Sequence, residues 1–311
     1  MDYRKVGLSG LRVSSISLGG WLTFGDGVNE ETMSAILGRA VDGGVNFIDL
    51  ADGYAAGKAE RAFGRILAGL RRTELVISSK LFFPMSENPN DRGLSRKHIM
   101  ESVERSLANL GTDYLDIYFC HREDPTTPLE ETIRAMDDLV HQGKILYWGT
   151  SQWSPRLLRK TRQICNHRGL YTPIVEQPPY NLLTRWIEHQ LTSVTNKLGM
   201  GLVVWSPLAG GILTGKYNEK IPAGSRGSNT DWLKEHLNEK TLKKVRQFCE
   251  IAAALSVQPA QLALAWILRR PEISSVIIGA TSPEQIEINL AATEIDVPDH
   301  VVRELNRIFP L

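Results

Sequence analysis

The stretch LDIYFCH, residues 115–121, is a mostly apolar run of strand-forming residues that stops at a side chain able to do chemistry, and ILYWGTS, ending at Ser151, repeats that design one unit later. Working outward, NFID ends at Asp49 and LVISSK at Lys80 on one side; IVEQ ends at Gln177, LVVWS at Ser206 and SVIIGAT at Thr281 on the other. Runs without strict apolar–polar alternation suit strands buried on both faces, as parallel strands are. Most of them recur at about 30 residues, the length of a βαβ unit. ISLGGW around Ser17 supplies a first strand and brings the count to eight. Eight β/α units in 311 residues point to an α/β fold, a closed (β/α)8 TIM barrel, in which active sites sit at the C-terminal ends of the strands. The expectation is one domain spanning residues 1–311.

A formal net charge of +1 and 42% hydrophobic residues describe an ordinary globular chain. The near-neutral balance argues against electrostatic binding of nucleic acid or a membrane surface. The start, MDYRKVGLSG, has no apolar signal core, and the longest apolar stretch, around LVVWSPLAGGIL, is short and interrupted by Ser206 and Pro207. Neither secretion nor membrane insertion is expected. Cys120, Cys165 and Cys249 are odd in number and widely spaced, which indicates neither disulfides nor zinc and makes a reducing cytoplasm the default.

Residues 3–18, YRKVGLSGLRVSSISL, read as two short strands about a Ser-Gly turn, an N-terminal β-hairpin closing the barrel floor. EETMSAILGRAVDGG carries apolar residues at helical spacing and ends at Gly43 and Gly44. SRKHIMESVERSLANLG, with Ser95 as N-cap and Gly111 as C-cap, and PLEETIRAMDDLVHQG read the same way. The alternation fails between Ser206 and Thr281, a separation far longer than one β/α unit. Its first part, PLAGGILTGKYNEKIPAGSRGSNTDW, reads as a long loop after the seventh barrel strand and a candidate ligand lid.

A barrel brings Asp49, Tyr54, Lys80 and His121 to one mouth. A tyrosine is a weak acid, with a reference pKa of about 10, and a neighbouring ammonium stabilises its phenolate and lowers that pKa. Asp49 would hold Lys80 charged in a desolvated site, and His121 would hydrogen-bond a substrate carbonyl. Together these groups suit general-acid carbonyl reduction. Singly each has a plainer reading: an ion pair, a surface tyrosine, a capped strand end. The constellation supplies a proton and no hydride, so a redox cofactor is required. The Rossmann fingerprint is absent, since GMG at Gly199–Gly201 precedes a strand and lacks the third glycine. Ser151, Gln152 and Gln177 can pair with a carboxamide, Trp205 can stack on a flat heterocycle, and Lys216 and Arg226 suit phosphates; for each amide or hydroxyl, bonding to a local backbone group is an equal alternative.

Around these positions LADGYAAGKAE, ISSK, GLSRKHIMESVERSL, GTSQW, EQPPYN, WSPLAGGILTGKY and IIGATSPEQIEIN together resemble the aldo-keto reductase superfamily, and within it the branch of the voltage-gated potassium channel β-subunits and their bacterial relatives. The resemblance runs from Tyr3 to about Asn289. It implies a barrel binding NADP(H) in extended form, with Tyr54 as proton donor, Lys80 and Asp49 tuning it and His121 orienting the carbonyl. Ser151, Gln152 and Gln177 match nicotinamide contacts, and Trp205 matches the stacking ring. Ser206, Pro207, Leu208, Gly210, Lys216, Ser225 and Arg226 match the pyrophosphate and 2′-phosphate loop. Gly279, Thr281, Gln285 and Asn289 match the adenosine end, and Trp21 lines the substrate pocket at the cofactor.

Departures from the pattern are informative. The resemblance implies Asn in channel β-subunits where this chain has His121, and a long N-terminal extension where this chain begins almost at the hairpin. Gly20 replaces a threonine against the cofactor, Ile288 stands where a Glu often meets the adenine amine, and the usual Lys-Ser clamp for the 2′-phosphate is missing, leaving Arg226 and Thr281. The expected function is NADPH-dependent reduction of a small carbonyl substrate by a cytoplasmic enzyme, with a homo-oligomer compatible with the resemblance. The rival reading is a nicotinamide-sensing accessory subunit of a membrane channel; a lyase or isomerase is disfavoured because Lys80 is better explained by Tyr54.

Overall fold

The apolar runs pair as parallel neighbours and close on themselves. In the computed structural model, which describes residues 1–21, 24–25 and 27–311, the barrel order is β3 to β10 with β10 paired back onto β3. The hairpin strands β1 (Tyr3–Lys5) and β2 (Arg12–Ser14) pair antiparallel. The barrel strands are β3 (Ile16–Gly19), β4 (Phe47–Asp49), β5 (Val76–Leu81), β6 (Leu115–Cys120), β7 (Ile145–Thr150), β8 (Val175–Glu176), β9 (Gly201–Val204) and β10 (Ile273–Ile278). Every residue of β5, β6 and β10 is buried, which is why these segments lack strict alternation.

The period of two along a strand sorts these residues into two cores. Phe47, Val76, Ile117, Phe119, Val175, Val203 and Ile277 fill the barrel interior, joined from below by Val6 and Val13 of the hairpin. Their neighbours Ile48, Ile77, Tyr118, Trp148, Leu202 and Val204 face the helices. Counting on by two from the interior set reaches Asp49, Lys80, His121, Gln177, Trp205 and Gly279. The candidate chemistry therefore continues the inward-facing rows at their C-terminal ends. Below, the Arg4 guanidinium fixes the hairpin to the floor by donating to the carbonyls of Leu268 at 2.6 Å, Ile273 at 2.9 Å and Arg270 at 3.3 Å.

The outer ring begins with α1 (Glu30–Asp42), α2 (Lys58–Leu67), α3 (Arg96–Leu110), α4 (Leu129–His141), α5 (Pro155–Arg168) and α6 (Leu191–Lys197). Asn29 caps α1 by accepting from Thr32 N–H, and Ser95 caps α3 by accepting from His98 N–H. Gly111 ends α3 at φ +63°, a left-handed position where glycine carries no Cβ penalty.

After β9 the reading of residues 207–232 as an uninterrupted loop is corrected. The chain makes a 3₁₀ stretch, Ala209–Thr214, and two single-turn helices, α7 (Arg226–Asn229) and α8 (Asp231–Lys234). Gly210 and Gly211 hold φ +67° and +97° and bend the first piece. The rest of the extra length is α9 (Glu239–Ala254) and α10 (Pro259–Leu268), followed after β10 by α11 (Pro283–Leu290) and α12 (Asp299–Ile308). Because β10 ends at Ile278, Thr281 lies on the loop beyond it and not at the strand end. Among the described residues no single helix is long and apolar enough to cross a membrane.

Candidate active site

Lys80 is the centre of the mouth. Its side chain is wholly buried, and its ammonium contacts Asp49 Oδ2 at 2.6 Å, the Leu50 carbonyl at 2.6 Å and the Tyr54 hydroxyl at 3.1 Å. An ammonium has three N–H donors, so all of them are engaged. Asp49 is held in turn: Oδ1 accepts from Ser78 Oγ and from Gln177 Nε2, each at 2.8 Å. Burial opposes the charge on Lys80, yet the attraction of Asp49 and Tyr54 outweighs it and the pKa of Lys80 is raised. This arrangement follows from strand register, since Asp49 stands opposite Ser78 on β5 and Lys80 lies two residues further along the same face.

Tyr54 enters from the loop after β4. Its turn carries Ala55 and Ala56 at φ +49° and +52°, a conformation in which a Cβ is strained, and it is anchored by Asp52 N–H donating to the Lys80 carbonyl at 3.0 Å and by Ser102 Oγ donating to Asp52 at 2.7 Å. The expectation that Lys80 gives Tyr54 a lowered pKa is corrected. Lys80 does pull in that direction, but burial is the larger influence and the net shift is upward. The phenol is therefore protonated at neutral pH, with an ammonium waiting beside it for the phenolate. His121 packs edge-on against Tyr54 and Phe83, with ring centroids 6.0 and 5.0 Å away. Burial, then Lys80 and Arg122, push its pKa well below the ordinary value of 6.5, so the imidazole is neutral and carries one N–H.

These groups open onto a cavity of about 1150 Å³, larger than the roughly 300–1,000 Å³ of most small-ligand sites. Trp21, Asp49, Tyr54, His121, Ser151, Gln177, Trp205, Ser206, Pro207, Leu208 and Gly210 line it. So do Lys216, Ser225, Arg226, Gly279, Thr281, Gln285 and Asn289. Two of the expected residues do not. Lys80 sits behind Asp49 and Tyr54, which is consistent with acting through them. Gln152 is not among the lining residues; its backbone adopts φ +55°, and with its amide oxygen toward Arg122 it accepts from Nη1 and Nη2 at 3.2 and 3.1 Å. Ser151 Oγ donates to the Gln177 carbonyl at 2.8 Å, and the Gln177 amide donates to Asp49, so both side chains already hold local partners while still lining the cavity.

The far wall is cationic. Lys216 occupies space left by Gly211, where a Cβ would lie 2.7 Å from Lys216 Cε. Arg226 lies over the Trp21 ring at 5.9 Å and is partly desolvated, which lowers its pKa; among the described residues neither it nor Lys216 has an ion-pair or hydrogen-bond partner for its charged head. Ser225 Oγ is buried with no hydrogen-bond partner among the described residues. Tyr217 staples this wall by accepting from Gly227 N–H at 3.1 Å and donating to the Gly210 carbonyl at 3.5 Å. Asn181 steadies the entry to it by donating to the Ser206 carbonyl at 2.9 Å. Asp49, already paired with Lys80, is the sole acidic lining residue among those described. Unpaired cations and an orphaned hydroxyl beside glycine-rich backbone fit a phosphate-bearing ligand. At the other end Gln285 Oε1 accepts from Thr281 N–H at 2.9 Å, and Asn289 is buried at the wall.

Reading the sequence missed Arg122 and Asn181, both lining residues. Arg122 follows His121 directly and was visible as the second residue of HRED; Asn181 closes EQPPYN.

Fold and site define an α/β-barrel protein whose mouth carries a tyrosine on a buried Lys–Asp pair, facing a cleft that suits a phosphorylated ligand. The Aldo/keto reductase family model matches residues 15–309, and the chain belongs to that family. It is 45% identical over 302 residues, covering 95% of this chain and 92% of the relative, to a protein of Oryza sativa subsp. japonica named probable voltage-gated potassium channel subunit beta. A protein of the same name in Arabidopsis thaliana is 43% identical with the same coverage. In Schizosaccharomyces pombe a putative voltage-gated potassium channel subunit beta is 44% identical over 304 residues, 94% of this chain and 88% of the relative.

Proposed function

We propose that this chain is an NADP(H)-dependent aldo/keto reductase that converts aldehydes and ketones to alcohols, residues 1–311 acting as one domain in the cytoplasm. The observation that carries the reading is the 3.1 Å contact between Lys80 and a protonated Tyr54 at the cavity wall. Lys216, Ser225 and Arg226 would hold the phosphates of NADPH and Trp205 and Ser151 its nicotinamide, and the bound cofactor would supply the hydride that the protein lacks. His121, neutral, donates its N–H to the carbonyl oxygen and orients it. As the carbonyl carbon gains hydride, its oxygen takes the Tyr54 proton, leaving an alcohol and a phenolate. Lys80 stabilises that phenolate, and Asp49 keeps Lys80 charged and aimed. Water then returns the proton to Tyr54. Tyr54→Phe removes the acid while leaving the phosphate wall intact, so kcat for an aldehyde should fall at least about 10²-fold with NADPH affinity nearly unchanged. Turnover close to wild type would remove Tyr54 from the mechanism.

A second reading rests on the printed names of relatives that share 43–45% identity: an accessory subunit of a potassium channel that binds nicotinamide nucleotide and turns over slowly. It is favoured if wild type binds NADPH yet reduces a broad aldehyde panel no faster than Tyr54→Phe does.

A further inference from the structure

Arg122 is the one cation at the catalytic end of the cavity that the proposed chemistry does not use. Its guanidinium lies 5.5 Å from the centre of the Phe83 ring and close enough to act electrostatically on both Tyr54 and His121. Among the described residues no carboxylate pairs with it. Glu176, whose charge acts on Arg122, turns instead to Thr150 Oγ1 and Trp153 N–H and is itself pushed up to about 8 by burial. It is therefore mostly neutral at pH 7.

The use of its five N–H donors decides what Arg122 can hold. Nη1 donates to the His121 carbonyl at 2.5 Å, and the Nη1–Nη2 end grips the Gln152 amide oxygen at 3.2 and 3.1 Å. Nε–H and the second Nη2–H remain. They lie along one edge of a planar group, and no described residue accepts from that edge. Two parallel N–H groups on one edge are the fork that binds the two oxygens of a carboxylate. The remaining grips also stiffen the fork, since His121 and Gln152 fix its plane.

We propose that Arg122 seats a substrate carboxylate, so that the site takes carbonyl compounds that also bear a carboxylate. This deepens the reductase reading and rests on it, because the phosphates of the nucleotide would occupy Lys216 and Arg226 and leave Arg122 for the substrate. The carboxylate is a spectator in the reduction and changes no bond.

The test compares para-carboxybenzaldehyde with its methyl ester, an uncharged molecule of closely similar shape, and the two corresponding benzyl alcohols as ligands in calorimetry with and without NADP⁺. Wild type should favour the carboxylate over the ester in kcat/KM and in binding by roughly 10- to 100-fold, about 1.4–2.7 kcal/mol. Arg122→Gln should collapse both ratios toward one, and Arg122→Lys, which keeps the charge and loses the fork, should fall between. Using ratios cancels any effect of the substitution on His121. No carboxylate preference in wild type, or a preference that survives in Arg122→Gln, overturns the proposal. If neither aldehyde is reduced, the reductase reading fails, and the calorimetric ratio still decides Arg122.

Discussion

Replacing Lys80 by Met separates a catalytic from a structural role for the buried pair, provided that it is compared with the double variant Asp49→Asn, Lys80→Met. The ammonium lies 3.1 Å from the Tyr54 oxygen. At an effective dielectric of about 20, a full charge on that oxygen is stabilised by about 5 kcal/mol. If roughly half of that charge has developed in the transition state, Lys80 contributes about 2–3 kcal/mol there, or roughly 10²-fold in kcat. The same substitution strands the Asp49 carboxylate, 2% exposed, without its counter-ion, a loss on the order of 3–5 kcal/mol in stability. The double variant removes that stranded charge. It should recover much of the stability, measured by urea unfolding, while kcat at neutral pH stays roughly 10²-fold down. Lys80 also sets the pH dependence. It pulls the Tyr54 pKa down against burial, so reduction, which needs the protonated phenol, should lose activity at a higher pH in Lys80→Met than in wild type. Recovery of rate together with stability in the double variant would show that the pair only holds the barrel mouth together, and the assignment of Lys80 to Tyr54 would fall.

Arg226→Ala should weaken NADPH binding by roughly 10- to 100-fold, about 1.4–2.7 kcal/mol, and leave NADH nearly unchanged, because a guanidinium with no protein partner is suited to the one phosphate that distinguishes them; fluorescence titration giving equal losses for both nucleotides would reassign it to the shared pyrophosphate or the loop. Burial raises the carboxyls of Asp52 from 3.8 to about 7 and of Glu176 from 4.5 to about 8, so the folded chain keeps protons that the unfolded chain releases, and stability should fall as pH rises from the ordinary values to the raised ones. Glu176→Gln should flatten the upper part of that fall in thermal unfolding between pH 5 and about 8; an unchanged slope would mean that Glu176 is not protonated in the fold.

Parity along the strands explains which parts of the site could be read in advance. Asp49, Lys80 and His121 were legible because each sits a whole number of two-residue steps beyond an interior apolar residue such as Phe47, Val76 or Phe119, and parallel pairing brings such positions level at one rim. The same rule fails one residue past the strand. Arg122 should face the helices by parity, yet the chain has left the sheet there, and its guanidinium reaches back to the mouth. Gln152, one residue past Ser151, has the opposite parity as well, and its left-handed backbone at φ +55° is demanded by nothing in the letters TSQW. Charge type was legible for Tyr54 and Lys80, while the sign of the Tyr54 shift was not, since it depends on how deeply the hydroxyl is desolvated, a property of packing across several elements. The segment after β9 was legible as an irregular insertion from its glycines, but its single-turn helices depend on tertiary staples such as Tyr217, whose hydroxyl joins Gly210 to Gly227 across the loop. That contact is non-local. Local propensity places turns at those glycines without saying which of them meet, and it is their meeting that holds Ser225 and Arg226 against the cavity.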